Sequence, residues 1–153
     1  MEGRCNIFTL ICLFGFGFIS PAPAAETPLP MVKVKVRDAH PGKSWANGPC
    51  YESYKESFGV EFENSFIRSS GGMRPTQKLI DEAAEANWNV IFQHYYKDLS
   101  IPEAEELLKD ESDSRWLKLV ELVSDNDLQK KMLRINTTIG IKARSNPSVY
   151  IKK

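Results

Sequence analysis

Apolar positions near the start of the chain form an unbroken block rather than a periodic pattern. The run from Ile7 to Ile19 is interrupted only by Thr9, Gly15 and Gly17, follows the basic Arg4, and ends in Ser20-Pro-Ala-Pro-Ala-Ala25. A basic start, a short apolar core and small residues at Ala22 and Ala24 predict a cleavable export signal over residues 1–24. A spanning helix needs about 20 apolar residues, so this shorter run, closed by two prolines, predicts no membrane span. Residues 25–153 are then expected to be a single domain in an extracellular, secreted product. Further on, Met31 to Arg37 alternates, with Val32, Val34 and Val36 opposite Lys33, Lys35 and Arg37. That period of two predicts a strand. Phe58–Ile67 reads as a second strand, since Val60 and Phe62 alternate with Glu61 and Glu63, and residues 31–68 are taken as β-leaning.

The pattern changes after the flexible joint at residues 69–75, which contains Ser69-Ser70-Gly71-Gly72. Thr76 can cap a helix whose apolar positions Leu79, Ile80, Ala83, Ala84, Ile91 and Tyr95 fall near 3.6 periodicity. Ser100-Ile-Pro-Glu103 has the form of a capping box, and Ser124-Asp-Asn-Asp127 approximates a second one. Asp110 to Ser114 separates the helices, and the helical region is expected to run over 76–135. Residues 136–153 read as an extended tail, with β-leaning Ile139-Gly-Ile141 and Val149-Tyr-Ile151. The expected fold class is α+β, a small N-terminal antiparallel sheet followed by three to four packed helices.

Val34-Lys-Val-Arg-Asp-Ala-His-Pro-Gly42 resembles the first strand of the transthyretin and hydroxyisourate hydrolase family. The resemblance implies an all-β sandwich that binds thyroid hormone or hydrolyses a purine product. It spans few residues, and the capped, helix-patterned second half departs from it. No site residue is carried over.

Charge narrows the functional classes. Twenty basic residues balance twenty acidic ones, which gives no sign of a nucleic-acid-coating protein. Lys33, Lys35, Arg37 and Lys43 form a local basic stripe that could meet an acidic partner, or simply be a solvated strand face. Of three cysteines, Cys5 and Cys12 fall in the predicted leader, so Cys50 is expected to be a buried thiol or to bridge a homodimer. Asn136-Thr-Thr138 is a glycosylation acceptor on the export route. His40 and His94 are the only histidines, and the spacing sets neither beside Cys50. His94 and Asp98 stand one helical turn apart, which is too few ligands for a metal site.

No cofactor motif is present, and no cofactor is expected. The function expected is non-enzymatic binding, with an extracellular protein partner. The alternatives are a small hydrolase using Cys50 with a histidine, or a hormone-like precursor cleaved at Lys130-Lys131.

Overall fold

A computed structural model describes residues 33–153, with the side chains of residues 120–124 left aside. The expected leader and the Met31-Val32 start of the first predicted strand lie outside the described residues.

The described residues are mostly helical. Five α-helices run in order: α1 (Pro49–Ser69), α2 (Gln77–Tyr96), α3 (Ile101–Lys109), α4 (Asn126–Ser145) and the single turn α5 (Pro147–Tyr150). Two 3-10 segments, Val36–Asp38 and Ser114–Ser124, complete the chain. This corrects the α+β expectation, because the described residues contain no strand and only two isolated bridges, Lys35 with Ser100 and Pro75 with Ile151.

The predicted strand over Phe58–Ile67 lies inside α1, and the reason is visible over a longer window. Tyr54, Phe58, Phe62 and Phe66 recur every four residues, a helical and not an extended spacing. Their rings form a ladder with centroids 5.5, 5.5 and 6.0 Å apart. Pro49 in the first turn starts this helix with the φ it already holds.

Without a partner strand, the valine alternation builds no sheet. Val36 is buried, while Val34 stays 51% exposed. The segment instead hydrogen-bonds the α2–α3 turn, with Val36 N donating to Leu99 O and Ile101 N to Val34 O. The expected extended tail is also corrected. Ile139-Gly-Ile141 continues α4, and Val149-Tyr150 closes α5.

Several helix signals are realised locally. Thr76 Oγ1 accepts from Leu79 N at 3.4 Å, and Gly71 and Gly72, both at positive φ, turn the chain between α1 and α2. At α3 the capping box is complete, since Ser100 N donates to Glu103 Oε2 and Glu103 N donates to Ser100 Oγ. The cap of α4 falls one residue later than Ser124. Asp125 Oδ1 accepts from Asp127 N at 3.1 Å and Leu128 N at 3.0 Å. A carboxylate capping two amides there also offsets the positive helix terminus.

Helix α2 is the central element, buried from Leu79 to Tyr96 along its apolar face. Trp88 sits against Tyr51, Tyr54, Phe92 and Trp116, and its Nε1 donates to Trp45 O at 2.8 Å. Such an aromatic centre has large apolar area to bury and one polar handle that must be satisfied.

Contacts with α2 also fix helix directions. Tyr54 meets Trp88 while Gly59, further along α1, approaches Ile80, so α1 is antiparallel to α2. Asn136 meets Asn87 and Lys142 meets Glu82, so α4 is antiparallel to α2 as well. Helices α1 and α4 therefore run parallel, side by side on α2. Among the described residues, no helix is long and apolar enough to cross a membrane.

Candidate functional site

Between α1 and α4 lies a cleft of about 390 Å³, open to solvent. Its wall from α1 has two stripes. Phe58, Phe62 and Phe66 supply an apolar floor, and Glu61, Ser65 and Arg68 supply a polar lip one helical register away. From α4 come Asn136, Gly140 and Arg144, again four residues apart. Gly140 keeps this wall low, since a side chain in its place would stand above the backbone between the two longer neighbours. A cleft of this size, between helices, with an apolar floor and few polar groups, has the form of a small-ligand site.

One wall residue is held by a relay of hydrogen bonds from the core. Asn87 is fully buried on α2, and its Nδ2 donates to Ala83 O and to Asn136 Oδ1, each at 2.8 Å. The first bond fixes which end of the Asn87 amide is the donor. The second then commits the Asn136 amide oxygen to the core, so that its Nδ2, which donates to no protein group among the described residues, is what Asn136 has left to offer the cleft it lines. The arrangement costs stability, because Asn87 Oδ1 is buried with no hydrogen-bond partner.

The residues singled out by sequence are dispersed. Lys33 is exposed. Lys35 and Arg37 approach Asp98 at 4.0 and 3.5 Å, and Lys43 pairs with Glu105 at 2.9 Å while lying over the Trp45 ring. Three of the four cations in the stripe thus face acidic neighbours within the fold.

Cys50, in the first turn of α1, is buried in the core and is disulfide-bonded. The other cysteines, Cys5 and Cys12, lie outside the described residues. The histidines are engaged elsewhere. His40 Nδ1 accepts from Gly42 N, and His94 Nε2 meets Asp125 Oδ2 at 2.6 Å. The amide of Leu128, and after it His94, hold the Asp125 carboxyl below its ordinary range. Lys130 and Lys131 are exposed on α4, with Lys131 3.8 Å from Asp127. Among the described residues, no three His, Cys, Asp or Glu side chains gather as a metal set.

Of the candidate site residues that the sequence offers, Asn136 alone lies at the cleft, as part of its wall. The phenylalanine ladder and the two arginines were missed. Their signal was the four-residue aromatic spacing, hidden by the shorter alternation of Val60 to Glu63. Compared with known proteins, the chain matches no family model, no curated protein and no solved structure.

Proposed function

We propose that the chain is an exported, non-enzymatic binding protein and that it holds its ligand in the α1–α4 cleft. The observation that carries this reading is the cleft itself, a concave site whose apolar floor and positioned polar rim come from two helices fixed on a third. Export is supported by the apolar block Ile7–Ile19 and the small residues that follow it.

Two measurements test the proposal. Amide shifts of the purified, isotope-labelled protein are recorded against a panel of small amphipathic compounds. Shifts clustering at Ser65, Ser69 and Gly140 support the cleft, and shifts scattered over the surface with none there refute it. Mass spectrometry of protein released from expressing cells tests export. A product beginning at Ala25 or Glu26 is expected, and one retaining Met1 refutes cleavage. Cleavage would separate Cys5 and Cys12 from Cys50, so the same spectrum without reductant reports whether Cys50 is bridged and to what.

A further inference from the structure

Resting on the reading of the cleft as a ligand site, we infer that its ligand is a small amphipathic carboxylate. An aromatic or acyl body would lie on Phe58, Phe62 and Phe66, with the anionic head held by Arg68, Arg144 and the Asn136 amide.

Charge supports this first. Two guanidiniums and the single carboxylate of Glu61 line the cleft, a local excess of one positive charge. Among the described residues neither guanidinium has an acidic partner, whereas Lys142 and Lys152 nearby pair with Glu82 and Glu63.

An arginine near a helix C-terminus can instead be occupied by the last carbonyls. Here three of the terminal carbonyls, those of Phe66, Ile67 and Lys142, already accept bonds from other groups. At the end of α1, Ser70 N and Ser69 Oγ donate to Phe66 O, and Gly72 N donates to Ile67 O. At the end of α4, Asn146 N donates to Lys142 O and Ser145 Oγ to Ile141 O. Among the described residues neither guanidinium donates a hydrogen bond to a carbonyl, and both line the cleft.

The relay from Ala83 through Asn87 commits the Asn136 oxygen to the core, so that Asn136 has only donors left to offer the cleft it lines. Donors above an apolar floor select an anion with an apolar body. Arginine's planar fork matches the two oxygens of a carboxylate.

Calorimetric titration of the unglycosylated protein separates the parts of this inference. The probes are 4-phenylbutyrate, its uncharged primary amide, and 4-phenylbutylamine. The acid is expected to bind about tenfold or more tighter than the amide, and the amine weakest. Arg68→Gln and Arg144→Gln should each weaken the acid several-fold and leave the amide unchanged. Both are exposed helix-surface positions, so the folded state should survive. Equal affinity of acid and amide overturns the anion assignment. Acid binding that is indifferent to both arginine substitutions overturns the placement. If neither acid nor amide binds while other compounds still shift the cleft amides, this inference fails and the ligand-site reading stands.

Discussion

Replacing Asn136 by alanine removes the acceptor for a fully buried donor, and the cost can be worked from the relay. Asn87 Nδ2 would keep its bond to Ala83 O and lose the one to Asn136 Oδ1, while Asn87 Oδ1 remains without a partner. Orphaning a buried polar group costs about 1–3 kcal/mol. Alanine returns roughly 0.5 kcal/mol of helix propensity relative to asparagine. The net loss expected is about 0.5–2.5 kcal/mol.

Asn87→Leu in the same protein removes both buried amide atoms, including the orphaned oxygen, so nothing then remains to be unsatisfied by Asn136→Ala. The two changes should therefore couple, with the double variant losing about 1 kcal/mol or more less than the sum of the single losses. Urea unfolding followed by circular dichroism reads this directly. With a slope of about 1–3 kcal/mol per molar urea, the Asn136→Ala midpoint should fall by several tenths of a molar or more. Losses that add to within about 0.5 kcal/mol would show that no such relay operates.

Three further outcomes follow from the same structure. Gly48 sits at φ +86° with ψ 170°, and a Cβ there would lie 2.0 Å from Leu108 O. Gly48→Ala should cost at least about 2 kcal/mol in a thermal melt, and a neutral result would contradict the packing of α1 on α3. Asp125, Asp113 and Glu103 are held below their ordinary pKa, by the Leu128 amide, Arg115 and Ser100 respectively. Carboxyls lowered on folding stabilise above the unfolded value near pH 4, and that contribution is lost as pH falls through the lower folded values. The melting temperature should drop on acidification below about pH 4, less steeply in Asp125→Asn, and parallel curves would remove Asp125 from the account. Finally, a glycan on Asn136 would consume an Nδ2 hydrogen otherwise left for the cleft, so glycosylated protein should fail to bind 4-phenylbutyrate until the sugar is removed; equal binding by both forms would separate Asn136 from the ligand.

Helix boundaries set by local chemistry were legible in the sequence. Thr76, the Ser100–Glu103 box and the Gly71-Gly72 turn each act through neighbours a few residues away, and each is found where the residues predict. The sheet was not legible, because a strand is a claim about a partner. Val32 to Val36 alternates like a strand, yet the Phe58–Ile67 segment read as a second strand is drawn into α1 by aromatics four residues apart. Between Asn136 and Ile141, Thr137, Thr138, Ile139 and Ile141 are β-branched. The segment is helical because Ile139 and Ala143 bury together with Leu79 and Ala83 of α2, and packing outweighs propensity there. The cleft was illegible for a related reason. Its walls are some seventy positions apart, and only the two antiparallel packings on α2 bring Phe62 and Asn136 to one place.

Helices α1 and α4 are each seated on α2, so the cleft between them exists only while both stay docked there. If the cleft holds a ligand as proposed, the ligand acts as a clamp against any opening that lifts α4 from α2. The opening free energy read by hydrogen exchange of the α4 amides should rise by RT ln(1 + [L]/Kd), while amides whose opening leaves the cleft intact keep their own rates.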